Sequence, residues 1–215
     1  MKQKTSPTQK ALNVWAIVLI IWALYRAKFR TDLPIWFDEF IAKPAVFILP
    51  IYYYISRYEK KNFFSAIGLK KVSLMSLVYI GAAIVSSVIF IYALRRYADL
   101  PNTLTLQNFL YLLLISFATS ISEQILTTGF VLQRLYDESK NPFTSTFFAS
   151  ILFFFVHVPI LFTNEKIIGF MLIRVMLTDL LLSLSIGFTY LSRKNLLPPI
   201  LIHTFYNLSI YMLMQ

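Results

Sequence analysis

Apolar residues in this chain fall into runs of roughly twenty, separated by short segments that hold most of the charge. Runs of that length predict helices that cross a bilayer, since about 20 residues at 1.5 Å each span the hydrocarbon. The predicted spans are Ala11–Tyr25, Ile41–Ile55, Val72–Leu94, Gln107–Leu135, Phe143–Phe162, Ile167–Leu191 and Leu196–Met214. The pattern therefore predicts an all-α, polytopic membrane helix bundle of about seven transmembrane helices. With no internal repeat and no Pro/Gly/Ser linker, residues 1–215 read as a single integral membrane domain. Asp38, Glu39 and Lys43 crowd the start of the second span, which places them at an interface, with Trp36 and Tyr52–Tyr54 as aromatic anchors. The segment Asn62–Lys71 is too short to span and is amphipathic, so it is expected to lie along the cytoplasmic surface.

Composition agrees: 58% of residues are hydrophobic and 14% charged, and the mean hydropathy is +0.66. The net charge of +10 does not indicate nucleic acid, because the basic residues sit between apolar runs and no nucleic-acid-binding motif accompanies them. They follow instead the positive-inside bias of cytoplasmic loops. With the N-terminus inside, the inner segments hold twelve Lys and Arg and the outer ones six, so the N-terminus is expected to be cytoplasmic. Lys2, Lys4 and Lys10 before Ala11–Leu24 resemble a signal peptide, but no small-residue cleavage site follows, which predicts an uncleaved first span. The absence of cysteine excludes disulfides, thiolate catalysis and cysteine metal ligands.

Against this background the ionisable residues inside the spans carry the chemistry. Such groups are costly in hydrocarbon and normally face a bundle interior or a wet cavity. The two histidines, His157 and His203, lie in the fifth and seventh spans, and Glu123 lies in the fourth. Three groups on three spans predict one shared polar site between the helices. Around Glu123, the rows Ser116, Ser120, Gln124, Thr128 and Thr119, Glu123, Thr127 recur every four residues and form one stripe. The hydroxyls alone read as helix–helix contacts, but such contacts do not need a carboxylate. His203 and Asn207 are four apart and share a face. Arg174 and Asp179, five apart, read as polar contacts to other helices, with Asp179 open to a place near the site.

Glu123-Gln124-Ile125-Leu126-Thr127-Thr128-Gly129-Phe130 resembles the motif EExxxR followed by G-[FY]. Phe153 to His157 matches FxxxH, and His203 to Asn207 matches HxxxN. In this order, each on its own span, they resemble the three motifs of the CPBP intramembrane proteases, which include the type II CAAX prenyl endopeptidases and the bacteriocin-processing and self-immunity (Abi-like) proteins. The motif-bearing core runs from about residue 107 to 215. The resemblance implies that Glu123 and His157 activate a water for attack on a peptide bond, and that His203 and Asn207 stabilise the oxyanion. The substrate would be a membrane-associated peptide or protein, and the lipid bilayer its setting. The first motif is degenerate: Gln124 stands for the second glutamate and Thr128 for the arginine. Both replacements are neutral, which avoids a lone buried charge, and both are read as supporting residues.

Other readings use the same residues. Glu123, His157 and His203 form a plausible zinc set with an open position for water, although HExxH is absent. Metal-free hydrolysis is preferred, and no cofactor is required. A non-catalytic CPBP-fold scaffold, regulator or bacteriocin-immunity protein would account for Gln124 and Thr128. A proton-coupled transporter is disfavoured by the lack of half-to-half repeats.

Overall fold

The computed structural model describes residues 6–29, 33–71, 105–163 and 169–214, with single helical positions between 72 and 104. Among these residues there are seven helices and no strand. They are α1 (Pro7–Phe29), α2 (residues 35–59), α3 (Phe63–Ala66), α4 (Leu106–Ser139), α5 (Pro142–Thr163), α6 (Gly169–Arg193) and α7 (Leu197–Met214). Four segments are long and apolar enough to cross a membrane: Pro7–Phe29, Leu106–Ser139, Pro142–Pro159 and Leu172–Arg193. The predicted third span, Val72–Leu94, lies outside the described residues apart from five helical positions (78, 81, 89, 92 and 93).

The distribution of polarity is inverted relative to a protein in water. Ile17, Ile20 and Leu24 of α1, Phe147, Phe148 and Phe155 of α5, and Ile173, Leu177 and Leu181 of α6 all point outward. Glu123, Glu39, Lys43, Arg134 and Asp179 are buried. Outward apolar stripes at helical spacing and inward charges are what a lipid solvent selects.

Helix α4 is the hub, packing against α1, α2, α5, α6 and α7. Thr105 caps its N-terminus by accepting from the Asn108 amide at 3.1 Å. From Ile125 to Leu132 the backbone widens into π turns, which commonly mark functional sites. Gly129 lies in this stretch, where a Cβ would meet the Ile67 carbonyl oxygen at 2.8 Å. Glycine is therefore required by the close approach of the chain around Ile67. Gly129→Ala should cost about 1–3 kcal/mol through overpacking, read as a lower Tm in detergent; a parent-like Tm would contradict this contact.

The segment after α2 turns one face into the core. Ala66 and Ile67 are buried in the core, Gly68 accepts from the Leu196 amide at 2.9 Å, and Phe64 and Ser65 of α3 are exposed. Helix α2 also begins earlier than its apolar run, at Ile35, and mixes α and π turns to Glu59. That early start carries Asp38, Glu39 and Lys43 into the bundle rather than leaving them at an interface. Asp38 receives Arg26 at 2.7 Å and the Tyr25 hydroxyl.

Candidate active site

Glu123 is 1% exposed, on the last α turn of α4 before the π segment. Its backbone carbonyl accepts from Thr127 Oγ1 at 2.7 Å. Its carboxylate points to the two imidazoles: Oε2 lies 3.3 Å from His157 Nε2 and 3.6 Å from His203 Nε2. Oε2 is buried and accepts no hydrogen bond among the described residues. The three ionisable residues of three helices thus meet at one oxygen.

The four-residue motif spacings have local physical reasons. On α5, His157 Nδ1 lies 3.1 Å from the Phe153 carbonyl one turn earlier. A carbonyl only accepts, so Nδ1 carries a proton, and Nε2 is the nitrogen turned to Glu123. The Phe153 ring packs 4.5 Å from the His157 ring and 5.6 Å from the His203 ring, wedging both imidazoles. On α7, His203 Nδ1 accepts from Gln124 Nε2 at 3.0 Å, so its Nε2 carries the proton facing Glu123. Gln124 Oε1 accepts from Thr128 Oγ1 at 2.6 Å. The two motif departures therefore bond to each other, i to i+4, and Gln124 sets the His203 tautomer.

Asn207 lines a cavity of about 450 Å³ together with His157, Asp179, Tyr206 and Arg174. Asp179 is buried and accepts from Tyr206 Oη at 3.2 Å across α6 and α7. Arg174 lies 5.4 Å over the Phe170 ring. The cavity gives the His157 side of the cluster an opening between α5, α6 and α7.

Two residues of the cluster were not legible as such in the sequence. Lys43 of α2 is 2% exposed, with Nζ 2.8 Å from Glu123 Oε1. It also reaches Glu39 Oε1 at 2.9 Å and Oε2 at 2.8 Å, and Thr119 Oγ1 donates to Glu39 Oε2 at 2.7 Å. Glu39 and Lys43 are i and i+4 on one helix, and that spacing was the available signal.

Two imidazoles and a carboxylate are donors that zinc accepts, but this set fits the ion poorly. His203 offers an N–H where a ligand needs a lone pair, and an ammonium occupies the other oxygen of Glu123. Among the described residues no group of three His, Cys, Asp or Glu is arranged to hold a metal.

Residues 105–209 match the family described as type II CAAX prenyl endopeptidase Rce1-like. The chain carries an Rce1-like domain. No curated protein and no solved structure gives a match. The Rce1-like domain starts at the cap of α4 and ends within α7, so it contains Glu123, His157, His203 and Asn207. It leaves Glu39 and Lys43 outside. Together with the four apolar helices, the match makes this an integral membrane protein.

Proposed function

We propose that this chain is an intramembrane endopeptidase that hydrolyses a membrane-associated peptide or protein. The observation that carries the reading is the convergence on Glu123 Oε2. The carboxylate oxygen and His157 Nε2 face one point, with the His203 Nε2–H beside them. The first pair suits a general base and the N–H suits an oxyanion donor. A water between Glu123 and His157 gives up a proton to the pair as its oxygen adds to the scissile carbonyl carbon. The carbonyl π electrons move to oxygen, where His203 Nε2–H and the Asn207 carboxamide donate. Collapse of the tetrahedral intermediate breaks the C–N bond, and the proton held by the base passes to the departing amine. The cavity lined by His157 and Asn207 admits the peptide.

The whole chain is taken as one multi-pass domain of about seven spans with the N-terminus cytoplasmic. The basic bias of the inner segments supports that orientation. A scaffold reading draws on Gln124 and Thr128, which bond to each other where the motif has a glutamate and an arginine.

The two readings part in one experiment. Purified protein in nanodiscs is offered a library of lipid-anchored peptides, and products are read by mass spectrometry. Cleavage is expected from the parent, with a loss of about 10²–10⁴-fold in His157→Ala and no loss on adding 1,10-phenanthroline. Cleavage undiminished in His157→Ala refutes the assignment, and chelator-sensitive cleavage refutes the metal-free mechanism.

A further inference from the structure

The matched domain does not account for the group closest to the Glu123 carboxylate. That group is the Lys43 ammonium, contributed by α2 from outside residues 105–209. A lysine ammonium has three N–H bonds. Here three oxygens receive it: Glu123 Oε1 at 2.8 Å, Glu39 Oε1 at 2.9 Å and Glu39 Oε2 at 2.8 Å. Its donor capacity is filled, so it has nothing left to offer a substrate or an oxyanion. The Trp22 ring, 5.8 Å away, closes another side.

Pure helix-to-helix adhesion does not explain the arrangement. Replacing a buried ionic group by packed apolar residues is often neutral or stabilising, and an extended lysine loses substantial rotamer entropy when fixed. What the ammonium does achieve is selection between the two carboxylate oxygens. By holding Oε1, it leaves Oε2 as the one that faces both imidazoles. Glu39 holds the lysine from the other side and is itself held by Thr119 of α4.

We infer that Lys43, braced by Glu39 and Thr119, is a positioning residue that presents Glu123 Oε2 to His157 and His203. The site is thus completed by a helix outside the Rce1-like domain. The kinetic part of this inference rests on the proposed hydrolytic role of Glu123; the structural part does not.

The test uses the full chain in nanodiscs with Lys43→Met/Glu39→Gln and Lys43→Arg. The double variant keeps the parent's net charge in the cluster, because one cation and one anion leave together, so Glu123 is released without adding buried charge. Its kcat is expected to fall about 100-fold at nearly unchanged KM, the scale of a roughly 1 Å misplacement. The side-chain ¹⁵N resonances of both histidines should shift. Lys43→Arg, which retains the charge, should stay within about tenfold of the parent. Parent-like kcat and unmoved histidine resonances in the double variant would overturn the inference. If the double variant does not fold, Lys43→Arg decides: retention of activity supports the role of the charge, and a loss as large as 100-fold overturns it. If the parent cleaves nothing, the proteolytic reading fails on its own, and the histidine resonances still decide the positioning role.

Discussion

Glu123→Gln is expected to lower kcat about 10³-fold, within the range that a general base contributes, while leaving the protein at least as stable as the parent. The two halves of that expectation come from the same cluster. Two carboxylates, Glu39 and Glu123, share a single ammonium, Lys43. Removing the Glu123 charge leaves Lys43 paired with both oxygens of Glu39, so no cation is orphaned. The surplus anion, whose Oε2 accepts no hydrogen bond among the described residues, is gone. Two buried anions against one buried cation leave a net charge in the cluster, and the loss of that net charge offsets whatever packing the amide disturbs. Lys43→Met has the opposite sign, because it strands two carboxylates. Thermal denaturation and initial rates on the same preparations check both halves. A glutamine variant that cleaves within tenfold of the parent would end the role of Glu123 as base. One that unfolds much earlier than the parent would mean that the carboxylate is a structural tie.

The cluster of Glu123, His157 and His203 was legible because its members are rare in hydrocarbon and fall in a motif order. Phe153, His157, His203 and Asn207 needed only helical spacing to be placed. Lys43 was missed for a physical reason. The apolar run of the second helix starts at Ile41, so three charges before and just inside it read as an interfacial fringe. The helix in fact starts at Ile35, and its π turns rotate the faces away from a 3.6-residue period. Periodicity alone then assigns the wrong environment to Glu39 and Lys43. Gln124 and Thr128 show another limit. From sequence they are departures from a motif, whereas in space they bond to each other and to His203. No pattern along one strand of sequence contains a contact between α4 and α7. The outward apolar stripes and the four long apolar helices, by contrast, follow directly from composition and spacing.

Arg134→Met should be the most destabilising single substitution on the α4 side of the fold, at about 3–5 kcal/mol. The guanidinium is 6% exposed and forks onto Glu59 of α2, with contacts at 2.9, 3.0 and 3.1 Å. Nη1 also donates to the carbonyls of Gly129 and Phe130 at 3.1 and 3.2 Å. Those carbonyls belong to the π segment, where widened turns break the regular i to i−4 ladder. One side chain thus pins α2 to α4 and satisfies backbone that the π turns expose. The Phe130 ring, 4.3 Å away, adds a cation–π contact. Methionine fills much of the volume but leaves the Glu59 carboxylate with only the exposed Lys61, 4.0 Å away. The double variant Arg134→Met/Glu59→Met removes that stranded anion and should recover part of the loss, leaving about 1–3 kcal/mol for the abandoned carbonyls. Reversible denaturation of the four species closes the cycle. If the double variant is no more stable than Arg134→Met alone, the ion pair is not what couples α2 to α4. The brace on Lys43 would then depend on the apolar contacts of the core, such as Phe47 and Ile51 of α2 in the cluster with Leu126 and Phe130 of α4.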